Sequence, residues 1–299
     1  MKNKAYYHLP GIYEFYELYR IFLPLFYEHR EYFYDWCEIG SVYDAPIDCL
    51  WNGGRTGFSG EDPVDVLSLT DKYGISSRLT FSNSMLEITH LSDKKCNELC
   101  KLYEADDFAE NGVIVHSDLL KDYLLEQYPG LYLISSTTKV ITDLDELINE
   151  LKSDDFRYVV PDYGFNKDLE WLNALSTSLK DKVEFLCNEC CPINCPERKA
   201  CYENVSRKNL GIDGEDHICI NSRNNEGYSF TRAMKNPSFI GISDIQNTYL
   251  PMGFTNFKIE GRGLGSAMIL EFLLYYMTKP EYHIAVREAI YLDGMLDLF

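Results

Sequence analysis

Short apolar runs alternate with amphipathic stretches from residue 36 onward, and the beat repeats eight times. The pattern predicts strands at Trp36 to Val42, Arg78 to Phe81, Gly112 to His116, Leu131 to Ser135, Tyr158 to Val160, Val183 to Cys187, Phe239 to Ile242 and Phe257 to Glu260. Between them apolar positions recur with the helical period, as in Cys96, Leu99, Cys100 and Tyr103, or Leu144, Leu147, Ile148 and Leu151. Eight β-then-α units predict an α/β fold, a (β/α)8 TIM-like barrel over residues 36–299, with a doubly wound open sheet as the alternative. Residues 1–35 form an aromatic prefix in which Ile12, Tyr16, Tyr19 and Leu23 make one stripe, predicting an N-terminal helical extension that flanks the barrel. Its tyrosines serve either core packing or a protein partner. The stretch 188–238, between predicted strands six and seven, is too long for an ordinary connection and predicts an insertion with a purpose of its own.

Composition narrows the function classes. With 45% hydrophobic residues, the 299-residue chain can fill one large core. Its formal net charge of −19, without a basic run, disfavours nucleic acid and anionic membranes as partners. The best apolar run, Ile21 to Phe26, is short and broken by Pro24, so no membrane span is expected and a cytoplasmic location is.

The insertion carries the strongest chemical signal. Cys187, Cys190, Cys191, Cys195 and Cys201 crowd together, and Cys219 follows. In a chain of this size without a secretory signal, such crowding points to a soft-metal site rather than disulfides. A 4Fe-4S cluster is the expected occupant, with zinc as the alternative, since four thiolates suit either. Proline follows both Cys191 and Cys195, which biases each cysteine away from helix and suits a loop wrapped around a cluster. Strand alternation would put Cys187 and Glu189 on one face. Cys96 and Cys100 sit on an apolar helix stripe, where packing suffices. Cys37 and Cys49 remain possible remote ligands.

In a barrel of this kind the active site forms where the strands end, so the residues there are candidates: Ser41, Tyr43, Asn83, His116, Ser117, Ser136, Thr137, Asp162, Asn188, Glu189, Ser243, Asp244, Glu260 and Arg262. Many could equally be turn formers or helix caps. Strand eight says more, because Phe257-Lys258-Ile259-Glu260 alternates. If Phe257 and Ile259 face the helices, Lys258 and Glu260 point into the barrel, where buried charge hints at use in binding. In the loop after the first predicted strand, Trp51-Asn-Gly-Gly-Arg55 could present backbone amides and a guanidinium to an anion.

Three pieces then coincide. Lys258-Ile259-Glu260-Gly261-Arg262 resembles the signature of the collagenase-like peptidase family U-32, and Val42-Tyr43 with Gly53-Gly54-Arg55 resembles its first-strand motif with an insertion. Asn188-Glu189 followed by Cys191, Cys195-Pro196 and Arg198 is similar to the cysteine region of the members that hold a cluster. The resemblance implies a TIM-like barrel and a 4Fe-4S cluster bound by four cysteines. It also implies oxygen-independent hydroxylation or related redox chemistry on an organic substrate, a small molecule or a protein, rather than proteolysis. Carried over, it makes Lys258, Glu260 and Arg262 signature residues, with Glu189 beside them as catalytic candidates. Cys191 and Cys195 become ligands, completed by Cys201 and Cys219, with Cys187 and Cys190 in reserve. After Arg262, Gly263-Leu264-Gly265 departs from the family pattern, which puts the substrate in doubt. A U-32-type peptidase and a non-catalytic, metal-stabilised scaffold or assembly protein are the alternatives.

Overall fold

A computed structural model of the chain describes residues 4–53, 60–220 and 227–296. Its strands are β1 Ala5–Pro10, β2 Cys37–Asp44, β3 Ser76–Phe81, β4 Gly112–Val115, β5 Tyr132–Ser135, β6 Phe156–Val159, β7 Glu184–Leu186 and β8 Asn256–Lys258. All pair in parallel in the order β6-β5-β4-β3-β2-β1-β8-β7. A parallel bridge from Val159 to Val183 joins the two ends, so the sheet closes into a (β/α)8 barrel.

The main helices are α1 Tyr16–Glu28, α2 Pro63–Asp71, α3 Lys94–Glu104, α4 Asp118–Gln127, α5 Leu144–Lys152, α6 Leu169–Ala174, α7 Thr177–Lys180, α8 Arg198–Asn209, α9 Ser266–Met277 and α10 His283–Leu296, with shorter helical turns at Phe230–Ala233, Ile242–Asp244 and Leu250–Met252. Most of those that follow a strand begin on a side-chain cap. Asp62, Asp93, Ser117, Asp143 and Asp168 each accept a hydrogen bond from a first-turn amide of α2 to α6, satisfying donors the helix leaves open. The stripe Cys96, Leu99, Cys100 and Tyr103 is buried on α3, as its period predicts.

Two strand assignments differ from the sequence reading. The barrel begins at β1, which pairs with β2 and β8, so residues 1–35 are no helical extension: they hold the first βα unit. Ala5-Tyr-Tyr-His-Leu-Pro10 runs through one aromatic stretch into α1 and carries His8 inward, which masks its strand period. The extended run at 239–242 is not a strand. Ile240 makes one backbone bond to Cys187 (3.0 Å), and Gly241 already opens a helical turn whose start is held by Asp244. The cysteine-rich insertion therefore lies between β7 and β8, not between strands six and seven.

The insertion crosses the carboxyl end of the barrel. Arg198 at the start of α8 pairs with Asp162 after β6 and donates to Thr137 after β5 (2.9 Å). Near its other end Ser206 accepts from the Asn83 side chain (3.1 Å) and the Ser84 amide (3.1 Å) after β3. Thus α8 spans the mouth.

Candidate active site

Inside the barrel, the strands lay down a polar layer. Arg78 on β3 donates to Glu184 on β7 at 2.6 Å, and Lys258 on β8 reaches the other carboxylate oxygen at 3.3 Å. Lys258 Nζ also sits 3.8 Å from the centre of the Tyr43 ring. His8 on β1 hydrogen-bonds Ser41 (2.8 Å) and lies 3.5 Å from Glu184. Burial and the charge of Arg78 lower His8 to about 3, so that contact joins a neutral ring to a carboxylate. Burial pushes the Glu184 carboxyl up, but the charges of Arg78 and Lys258 hold it well below the usual range. Burial, with Arg78 and Arg262 nearby, lowers Lys258 to about 8 against the pull of Glu184.

Above this layer the ends of β7 and β8 are tied together by Asn188. Its side chain accepts from the Glu260 amide (2.7 Å) and donates to the Glu260 carbonyl (2.9 Å), and Tyr228 donates to its carbonyl (3.0 Å). Glu189 follows, and its carboxylate accepts from the amides of Cys190 and Cys191, both at 2.8 Å. One side chain therefore fixes the entry to the cysteine loop. Asn236 secures the same loop by donating to the Glu189 and Cys191 carbonyls (3.1 and 2.8 Å). Further along, Tyr163 donates to the Pro192 carbonyl, and the Arg198 guanidinium lies over the Tyr163 ring.

On the β8 side, Gly261 packs where a Cβ would meet Ile269 at 2.3 Å and Pro10 at 2.9 Å, so the signature needs glycine here. Arg262 Nη1 lies 3.9 Å from Asp44, which also accepts from the amides of Tyr13, Glu14 and Ala45. Burial raises Asp44 to about 6 even with Arg262 opposing it. Gly53 lies against the end of β3, where a Cβ would meet the Ser82 carbonyl at 2.0 Å. Gly54 and Arg55, the rest of that motif, lie outside the described residues.

All these elements frame one cavity of about 290 Å³. Glu189, Lys258, Glu260 and Arg262 line it, and so do Cys191, Cys195, Cys201 and Cys219, together with Cys190. Residues from opposite ends of the insertion thus meet the signature of strand eight. The remaining cysteines are elsewhere. Cys187 turns to the helix side of β7, so it does not share a face with Glu189, which the chain swings inward after leaving the strand. Cys37 is buried toward the Tyr34 and Met277 carbonyls, and Cys49 packs beside Cys96. Of the strand-end candidates, Tyr43, Ser136 and Thr137 line the cavity, Asn83 and Asp162 hold α8, and Ser117 caps α4. His116 bonds to Thr138 (2.9 Å). Ser243 and Asp244 do not line the cavity; Asp244 holds the turn at Gly241 and pairs with Lys167.

Sequence reasoning passed over Arg78, Glu184, His8, Thr80 and Ser82. The signal for Arg78 and Thr80 was available, since Arg78-Leu79-Thr80-Phe81 alternates as strand eight does.

The donor set suits a soft metal center: five thiols face one cavity, next to backbone already held by Glu189 and Asn236. Among the described residues no three His, Cys, Asp or Glu side chains are gathered closely enough to hold a single metal ion. A cubane spreads its thiolates over four irons, so its ligands need not meet at one point. Burial and the carboxylates of Glu189 and Glu260 push the Cys191 thiol up, so a cation is what would favour the thiolate there.

No protein-family model matches this chain, and no curated protein sequence matches it. Among solved structures, the chain is similar to that of the U32 peptidase Mk0906, at 12% sequence identity with a TM-score of 0.51. The match covers 87% of this chain and 94% of that one. At the level of the fold, then, the chain is a barrel of the kind that a U32 peptidase adopts.

Proposed function

We propose that this protein is a divergent U-32-type enzyme that holds a 4Fe-4S cluster and modifies an organic substrate by oxygen-independent hydroxylation or a related redox reaction. The observation that carries this reading is the meeting of Cys191, Cys195, Cys201 and Cys219 with Glu189, Lys258, Glu260 and Arg262 around one cavity at the carboxyl end of the barrel. The four cysteines would hold the cluster, with Cys190 as a neighbouring thiol. When bound, such a cluster supplies electron transfer or Lewis-acid chemistry beside the substrate. The protein's own groups do the rest. Lys258 and Arg262 present positive charge to the substrate, Glu189 keeps the loop amides in place, and the buried layer below excludes water.

The fold likeness also suits a peptidase, which is the second reading. Against it, no histidine lines the cavity among the described residues, so none stands ready to activate a cysteine or serine there. No helix among the described residues is long and apolar enough to cross a membrane, which fits a cytoplasmic enzyme.

Anaerobic purification tests the proposal. Iron and sulfide in near-equal amounts, with a broad visible absorption that bleaches on reduction, are expected; stoichiometric zinc without iron would replace the enzyme reading with a metal-stabilised scaffold.

A further inference from the structure

The polar layer inside the barrel carries more positive than negative charge. Facing Lys258 are Glu184 from β7, Arg78 from β3, His8 from β1 and Tyr43 from β2, with Arg262 just beyond β8. Glu189 and Glu260 face the same cavity from above, while Tyr132 and Tyr158 flank Arg78 on the far wall. Arg78 holds the closer bond to Glu184, 2.6 Å against 3.3 Å, and an arginine does not give up its proton. His8 stays neutral. One carboxylate is thus shared by two cations, and the surplus falls on the only one of the two that can become neutral.

A second observation points to a ligand. Thr80 Oγ1, Ser82 Oγ and Arg262 Nη1 are buried and have no hydrogen-bond partner among the described residues, and all three side chains line the cavity that Lys258 enters. Buried polar atoms of this kind are normally satisfied. Two hydroxyls and a guanidinium nitrogen would be satisfied by a small molecule bearing several oxygens.

We propose that Lys258 is a nucleophile that forms an imine with a small hydroxylated aldehyde or ketone bound in this cavity. The inference rests on the functional reading above only in taking the same cavity as the site. The neutral amine adds to the carbonyl carbon, so a C–N bond forms and the carbonyl π pair moves to oxygen. Both protons of the amine end on that oxygen, which leaves as water while the nitrogen lone pair completes the C=N bond. No oxidant or reductant is needed. The imine so formed is neutral; a proton taken up from solvent converts it to the protonated imine, which Glu184, next to Lys258, favours as it favours the ammonium. Buried lysines of lowered basicity are suited to this chemistry.

Reductive trapping tests it. The protein is incubated with dihydroxyacetone and sodium cyanoborohydride and its peptides are mapped by mass spectrometry. Lys258 should be labelled before the exposed Lys94, and its labelling should rise about tenfold per pH unit below pH 8 and then level off, following the neutral fraction. Lys258→Arg should abolish labelling at this position while far-ultraviolet circular dichroism stays unchanged. Labelling of Lys94 with none at Lys258 in folded protein would overturn the proposal. Because the readout is an adduct on the amine, it is expected in iron-containing and iron-free protein alike, so its failure is separate from failure of the cluster reading.

Discussion

Arg78 and Glu184 meet across the barrel interior at 2.6 Å, both almost wholly buried, while Lys258 approaches the same carboxylate from β8 at 3.3 Å. The two cations are not equivalent. Removing Lys258 leaves a matched pair, whereas removing the carboxylate leaves two buried cations facing each other.

Lys258→Met should therefore fold with stability near that of the parent, and Glu184→Gln should lose about 3–5 kcal/mol, the usual cost of an uncompensated buried charge. Denaturant titration of both variants checks this. Equal destabilisation of the two would mean that Lys258, not Arg78, is the main partner of Glu184.

The same layer sets a pH dependence. His8 and His116 are lowered to about 3 and about 4, chiefly by burial, so below pH 6.5 the unfolded chain takes up protons that the folded chain refuses. Their contribution is present above pH 6.5 and is lost as pH falls toward 4. Asp44 and Asp71, each raised to about 6, act in the opposite sense between about 6 and 3.8 and together offset the two histidines. Lys258, lowered to about 8, makes stability rise between pH 8 and 10.5, where the unfolded amine still binds a proton. Thermal unfolding from pH 4 to 9.5 should therefore show little net change between pH 6 and 4, and a loss there with a slope of about 1.4 kcal/mol per unit would mean that one histidine is left unbalanced. In Lys258→Met the alkaline rise should be absent.

The barrel was legible because β4 and β5 are short, nearly continuous apolar runs, while β3 and β8 alternate between apolar and polar positions. The first strand was not, since Tyr6, Tyr7 and His8 interrupt any such run just before a helix of similar composition. At Phe239 and Ile240 an apolar pair reads as a strand, yet the turn at Gly241 ends it. Lys258 was legible as an inward charge from local alternation, but its partner was not. Glu184 lies on another strand, and only barrel closure brings the two together. The arrival of Cys219 at the cavity was equally hidden. Residues 210–220 carry no period, and the segment is held by Asp216 pairing with Lys208 (2.8 Å) and His217 bonding to Asn204 (3.2 Å).

Asn188 supplies two part-buried hydrogen bonds to the backbone of Glu260, one step beyond the Cys187 amide bond to the Lys258 carbonyl (3.0 Å). Asn188→Ala should cost about 1–3 kcal/mol, from leaving a part-buried amide and carbonyl without this partner. Gly261→Ala acts on the same turn from the other side, forcing a Cβ into Ile269 and the rigid ring of Pro10, and should cost about 1–3 kcal/mol. Differential scanning of both variants checks the pair, and a neutral Gly261→Ala would show that the β8 turn relaxes freely.

The cysteines divide into two classes that serine substitution should separate. Cys191 and Cys195 face the cavity from a loop held by Glu189 and Asn236, whereas Cys96 and Cys100 are sealed in the stripe of α3. A hydroxyl is a poor ligand for iron in a cluster. Cys191→Ser and Cys195→Ser, purified without oxygen, should lose iron and the visible absorption that bleaches on reduction. Cys96→Ser and Cys100→Ser should keep both and lose about 1–3 kcal/mol of stability, the cost of placing a hydroxyl where a thiol packed. Cys187→Ser belongs with the second class, because its thiol turns away from the cavity toward the helices. Full iron retention in Cys191→Ser and Cys195→Ser together would remove the cluster from this site, and loss of iron in Cys187→Ser alone would move it to the other face of β7.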